Sequence, residues 1–124
     1  MTFFSDFLDS LKNAWRGLVL AIRSERSFRI QSVVGFLVIV AVFVIPFKSW
    51  ERALLLLATA SVLVLELINS MVERLVDLVR PRLHAYVRDV KDLMAAAVLL
   101  ASVFAAALGL LILLPYVPQL IGRV

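Results

Sequence analysis

Three long apolar blocks constrain this chain more than any other feature of its sequence. They run from about Ile30 to Pro46, from Ala53 to about Val72 and from Leu93 to Leu114. A transmembrane helix needs about 20 consecutive apolar residues, so the last two blocks can span a bilayer and the first lies near the lower limit. Soluble domains are about half apolar, whereas 63% of these 124 residues are hydrophobic. The sequence therefore predicts an all-α membrane protein with three transmembrane helices.

The basic residues are distributed unevenly between the segments that flank these blocks. Of the 13 Lys and Arg residues, all but Lys48, Arg52 and Arg123 lie before the first block or between the second and third. Cytoplasmic segments of membrane proteins carry the excess of Lys and Arg. We therefore expect the N-terminus to be cytoplasmic and the C-terminus to lie outside. The net charge of +4 is interpreted as a topology signal, and no nucleic-acid partner is expected.

The N-terminal segment carries an amphipathic helical pattern rather than a fourth span. Its apolar side chains recur at intervals of three and four residues, the period of one helix face, at Phe4, Phe7, Leu8, Leu11, Trp15, Leu18, Val19 and Ile22. Such a helix over residues 3–23 lies flat in the cytoplasmic interface of a bilayer with its aromatic side chains among the acyl chains. A helix that packs only on protein is the alternative.

The domain organisation that follows is simple. The chain has no cysteine and one histidine, which leaves no zinc site, and it has no Gly-rich loop of the kind that holds phosphates. No internal repeat or linker is visible. We predict one domain over residues 1–124, with the interfacial helix at 3–23 and transmembrane segments at 30–47, 52–79 and 92–114.

Polar side chains form a single stripe along the second transmembrane segment. At 100° per residue, five of them fall within about 60° of one direction: Glu66, Asn69, Ser70, Glu73 and Asp77. The stripe rises about 16 Å, from inside the hydrocarbon to the cytoplasmic headgroups. An ionisable residue at that depth costs at least about 2.5 kcal/mol. The acids are therefore expected to serve a function that offsets this cost.

The residues alone leave that function open. Asn69 and Ser70 suit hydrogen bonds between helices of an oligomer. Two carboxylates seven residues apart, Glu66 and Glu73, suit divalent-metal or proton chemistry, and buried acids are also typical of ion pathways. A small oligomeric proton or ion transporter is therefore the alternative, although no ionisable residue lies between positions 53 and 65 to extend such a path. An interaction subunit would need no column of acids.

The stripe resembles the signature of the prokaryotic diacylglycerol kinase family, which includes undecaprenol kinases. Residues 66–77, ELINSMVERLVD, are similar to the family pattern Glu-x-aliphatic-Asn-Ser/Thr-small-aliphatic-Glu-x-x-Val-Asp. Further segments resemble the family in the same order along the chain: NAWRG at 13–17 in the interfacial helix, Glu25 with Phe28 and Arg29 at the entry to the first span, and Lys91-Asp92 at the start of the third. The resemblance covers essentially the whole chain.

The resemblance implies a trimeric enzyme of the bacterial cytoplasmic membrane that phosphorylates a lipid alcohol, diacylglycerol or undecaprenol, from ATP. It implies that Glu66 is the catalytic base and that Glu25 and Glu73 bind Mg²⁺. The implied ATP-binding residues are Asn13, Glu25, Asn69, Glu73, Asp77, His84, Lys91 and Asp92, and the implied lipid-binding residues are Arg16, Glu66 and Ser70. Active sites shared between chains are also implied. For His84 a solvated loop imidazole is the competing interpretation, and for Asn13 and Arg16 it is contact with lipid headgroups.

Overall fold

The chain forms a small bundle of long helices. The computed structural model describes residues 2–79, 82 and 84–122. Its elements are α1 (Phe3–Ser24), α2 (Arg26–Val44), α3 (Ser49–Asp77), α4 (His84–Leu113), a 3₁₀ helix (Leu114–Tyr116) and α5 (Val117–Ile121). Within these described residues, three regions are long and apolar enough to cross a membrane, namely α2, α3 and the helical stretch from α4 to α5. The predicted fold class, an N-terminal helix followed by three potential spans, is confirmed.

Helix α3 is the centre of the bundle and packs against both α2 and α4. Helix α2 approaches it closely at Gly35, where an added Cβ would lie 3.0 Å from Cγ2 of Thr59 and 3.5 Å from Cδ1 of Leu63. The main apolar core contains Val42, Ile45, Phe47, Leu55 and Ile112. These residues come from the last turn of α2, the α2–α3 connection, the start of α3 and the end of α4. The core therefore lies at the opposite end of α3 from the polar stripe.

A hydrogen-bonded cluster fixes the connection between α2 and α3. Pro46 follows the end of α2, as expected of a residue with no backbone N–H to continue a helix. The Lys48 N–H donates to Oε2 of Glu51 at 2.8 Å, and the Tyr116 hydroxyl donates to the same oxygen. The Tyr116 ring also meets the Phe47 ring edge to face, with centroids 4.9 Å apart. The end of the third span is thereby tied to the start of α3.

Helix α1 is separated from α2 by a single residue, Glu25, whose backbone is extended. The Arg29 guanidinium donates to the carbonyl oxygens of Ile22 and Arg23, both at 3.0 Å, and so satisfies carbonyls at the end of α1. Of the α1 side chains, only Ala21 is buried. The apolar stripe remains exposed, with Trp15 at 67%, so the helices of this chain do not cover it. This arrangement favours the interfacial helix over one packed only on its own chain.

Helix α4 begins earlier than the sequence pattern indicates. The apolar block predicts a third span from residue 92, with Lys91 and Asp92 at its start, whereas the helix begins at His84. The hydrophobic length identifies the part of a helix that lies in the hydrocarbon, and a helix can extend beyond it into water. Val87 gives the extension a reason, since it is 2% exposed and packs into the bundle. His84 is therefore a helical residue rather than part of a loop.

Candidate active site

The polar stripe lies on the face of α3 that also carries its buried residues. Glu66 is 3% exposed and Ser70 is 8% exposed, and they share this face with Leu55 and Val62. Asn69 and Glu73 are half-buried, and Asp77 is exposed. The stripe therefore faces the bundle rather than the surrounding lipid, and its exposure increases toward the end of α3.

Glu66 has a neutral hydrogen-bond donor from a neighbouring helix. The Ser27 hydroxyl, in the first turn of α2, donates to Oε1 of Glu66 at 2.8 Å. The Ser70 hydroxyl donates instead to the main-chain oxygen of Glu66 at 3.0 Å. Among the described residues, Oε2 of Glu66 has no hydrogen-bond partner. A buried carboxylate with one oxygen still available can accept a proton from a bound substrate.

Asn69 and Glu73 form a hydrogen-bonded pair one to two turns nearer the C-terminal end of α3 than Glu66. Nδ2 of Asn69 donates to Oε1 of Glu73 at 3.2 Å. Because a carboxylate only accepts, the amino group of Asn69 must face Glu73. The buried Oδ1 of Asn69 has no donor among the residues that the structure describes. Amide and carboxylate oxygens are suitable ligands for Mg²⁺, which commonly uses one or two carboxylates together with water and phosphate oxygens.

Glu25, the other predicted metal ligand, pairs with a cation. Its Oε1 accepts from Nη2 of Arg74 at 3.1 Å, and the same nitrogen donates to the Ser24 hydroxyl at 2.7 Å. The Arg74 side chain is 51% exposed, so this ion pair is weak. In the part of the chain that the structure describes, no three His, Asp or Glu side chains form a ready-made metal cluster. The residues that suit Mg²⁺ are therefore Asn69 and Glu73. Glu25 could join them if its weak ion pair with Arg74 were broken.

The remaining predicted residues fall into two groups. Lys91 of α4 pairs with Asp77 of α3, with Nζ and Oδ1 2.6 Å apart. His84 and Asp92 are exposed on α4, whereas Asn13 and Arg16 line a shallow groove formed by α1 residues. Within the described ranges, these last four side chains make no hydrogen bond or ion pair with the α3 acids. Within the described residues, the single chain thus connects the α3 stripe to Lys91 but not to those four side chains.

Two contacts at the site were not anticipated from the sequence. Ser27 follows the predicted Glu25 by two residues and carried no signal beyond that proximity. Arg74 lies beside Glu73 but was interpreted only as one of the cytoplasmic charges that set the topology. Both side chains contact a residue outside their own helix. A motif within one helix does not indicate which residues of other elements will contact it.

Comparison with known proteins identifies the family. The family model for prokaryotic diacylglycerol kinase matches residues 12–113, a range that includes every predicted site residue. The chain belongs to this family. The match also takes in most of the three spans, so family membership rests on the complete architecture and not on the α3 signature alone.

Individual relatives in the family carry two names. A protein named diacylglycerol kinase from Synechocystis sp. is 37% identical over 111 residues, which cover 89% of this chain and 63% of that protein. A protein named undecaprenol kinase from Bacillus subtilis is 31% identical over 109 residues, covering 88% and 89%. A protein named diacylglycerol kinase from Escherichia coli is 30% identical over 104 residues, covering 84% and 85%. The matched region is thus less than two thirds of the Synechocystis relative and most of the other two.

Proposed function

We propose that the chain transfers the γ-phosphate of ATP to the hydroxyl of a membrane lipid, with Glu66 as the base. As a member of the prokaryotic diacylglycerol kinase family it is a lipid kinase, a phosphotransferase with an alcohol acceptor. The names of its relatives support two acceptors, diacylglycerol and undecaprenol. The single observation that carries the assignment of the base is the buried Glu66 carboxylate, which has one oxygen held by Ser27 and the other available.

Glu66 would take the proton of the acceptor hydroxyl at Oε2. As the hydroxyl oxygen forms its bond to the γ-phosphorus, the bond between that phosphorus and the β–γ bridging oxygen breaks, and ADP leaves. Phosphoryl transfer requires mainly positioning and charge stabilisation from the protein. The base removes the one proton that an alcohol must lose, and it does so in a site from which bulk water is largely excluded.

The donor would bind on the cytoplasmic side of Glu66. Glu73 lies about 10 Å further along α3, and with Asn69 and Glu25 it would hold Mg²⁺. When bound, Mg²⁺ neutralises charge on the β- and γ-phosphates. Lys91, which now contacts Asp77, would contribute its ammonium to the phosphates. We assign Asn13, His84 and Asp92 to the same nucleotide site.

The acceptor would lie in a groove between α1 and α3. This groove has a volume of about 500 Å³ and is lined mainly by apolar and small residues, including Gly17, Leu18 and Leu67. Ser70 also lines it, one turn from Glu66, so a lipid chain in the groove would bring its hydroxyl toward the base. Arg16 on α1 would contact the polar part of the lipid.

The assembly is proposed to be a homotrimer in the bacterial cytoplasmic membrane, with the N-terminus and the active site on the cytoplasmic side. Two observations support it. Apolar side chains are widely exposed on the single chain, and among the described residues Asn13, His84 and Asp92 make no hydrogen bond or ion pair with the α3 acids. A neighbouring chain would supply these residues to the site and cover part of the apolar surface.

The test is phosphate transfer by purified protein in detergent, using MgATP labelled at the γ-phosphate. Diacylglycerol and undecaprenol are supplied in parallel, with a lipid that lacks a free hydroxyl as the control. We expect label in one or both alcohols and none in the control. Label in neither alcohol would refute the proposal, and acidification of protein-containing liposomes without transfer would favour the transporter.

A further inference from the structure

Ser27 is held at the first turn of α2 in direct contact with the α3 stripe. Its hydroxyl lies 2.8 Å from Oε1 of Glu66, although 39 residues separate the two positions. The next residue, Phe28, is 4% exposed and anchors this turn against the bundle. The position of the hydroxyl is therefore set by a packed turn of helix rather than by a loop.

The direction of this hydrogen bond follows from its partners. An ionised carboxylate only accepts, so Ser27 donates. The nearby Ser70 hydroxyl is already directed at the main-chain oxygen of Glu66. Among the described residues, Ser27 is thus the side chain that restrains the Glu66 carboxylate. A donor on one oxygen fixes the plane of the carboxylate, and the other oxygen is thereby directed to one place.

We propose that Ser27 is a positioning residue for Glu66, a role that rests on the proposed function of Glu66 as the base. A Glu side chain has three rotatable bonds, and without the donor from α2 the Glu66 carboxylate can turn away from the acceptor hydroxyl. Small displacements of a reacting group lower the rate strongly while leaving substrate binding intact. Ser27 touches neither substrate and acts through Glu66.

The first experiment compares Ser27→Ala, Ser27→Thr and Ser61→Ala in the phosphate-transfer assay. Ser61 is a matched control because its hydroxyl donates to the Leu57 carbonyl of its own helix at 2.8 Å. We expect kcat of Ser27→Ala to fall roughly 10- to 100-fold, the effect of losing one hydrogen bond to a charged group. The KM for MgATP should stay at the Ser61→Ala value, whereas the melting temperature should fall by a few degrees because the buried Glu66 carboxylate loses its donor. Ser27→Thr keeps the hydroxyl and should recover most of kcat.

The second experiment separates positioning from packing by measuring Ser27→Ala in a Glu66→Gln background over long incubations. If Ser27 acts through Glu66, the substitution should change the residual rate less than about twofold, because coupled residues are not additive. Equal kcat in Ser27→Ala and Ser61→Ala would overturn the proposal, as would the same fold-loss in both backgrounds or no recovery by Ser27→Thr. A wild-type protein that labels no lipid would instead refute the proposed function itself.

Discussion

The substitution Glu66→Gln tests the proposed base most directly. Gln has the same shape as Glu, and its Oε1 still accepts a hydrogen bond from Ser27, so the contact between α2 and α3 is retained. What is lost is the capacity to take a proton. General base catalysis contributes about 10²- to 10⁴-fold, which corresponds to about 3 to 5 kcal/mol of activation free energy. We expect kcat to fall by that factor while the affinity for MgATP is retained.

A second glutamate on the same helix provides the control. Glu51 is also buried and lies about 22 Å away along α3, where it accepts hydrogen bonds from Lys48 and Tyr116. Glu51→Gln removes the charge of a buried carboxylate without approaching the proposed site. We expect it to keep the wild-type rate of transfer to lipid, measured as initial incorporation of labelled phosphate.

The pattern of the two variants decides the interpretation. Near-full turnover by Glu66→Gln would show that Glu66 is not the base. Equal losses in both variants would point to a general effect of charge removal on the bundle. The melting temperature of Glu66→Gln should not fall, because a neutral amide is less costly to bury than a carboxylate. A large decrease in melting temperature would therefore contradict the reasoning about burial.

Three further substitutions test the parts around the base. Glu73→Gln should raise the KM for MgATP about tenfold or more, since one carboxylate ligand is lost, and an unchanged KM would contradict a role at the nucleotide. Arg74→Ala removes the cation paired with Glu25 and should lower the Mg²⁺ concentration for half-maximal activity about two- to fivefold, whereas a higher requirement would show that Arg74 assists binding. Tyr116→Phe removes a donor to Glu51 and should lower the melting temperature by a few degrees with kcat unchanged, so an unaltered melting temperature would exclude this stabilising role.

The fold and the stripe were predictable because both depend on local properties of the sequence. Hydrophobic length identifies a potential span, and a repeat of 100° per residue places Glu66, Ser70 and Glu73 on one face whatever the neighbouring helices do. The start of α4 was not predictable in this way. Hydropathy identifies only the part of a helix that lies in the hydrocarbon, whereas α4 already begins at His84, before the apolar block. This N-terminal extension of α4 depends on the burial of Val87 against the rest of the bundle, which is a tertiary contact.

The partners of the acids could not be predicted from the sequence. Ser27 meets Glu66 and Arg74 meets Glu25 only because the start of α2 and the junction between α1 and α2 lie against α3. The spacing of residues within one helix carries no information about that packing. The resemblance to the family signature supports the proposed roles of the α3 acids. It does not give the neutral donor on Glu66, which belongs to a different helix.

The partners of the acids along α3 change with depth, and this change supports the different roles proposed for Glu66 and Asp77. Glu66, 3% exposed, has a neutral serine, whereas Asp77, whose side chain is 49% exposed, has the ammonium of Lys91. A lysine at the depth of Glu66 would carry a second cost of burial, which a neutral serine avoids. A serine satisfies one oxygen and leaves the carboxylate able to accept a proton. Near the headgroups, where charges cost less, Lys91 can exchange its carboxylate for a phosphate. The depth of each residue thus separates the proposed base from the proposed site for the phosphate donor.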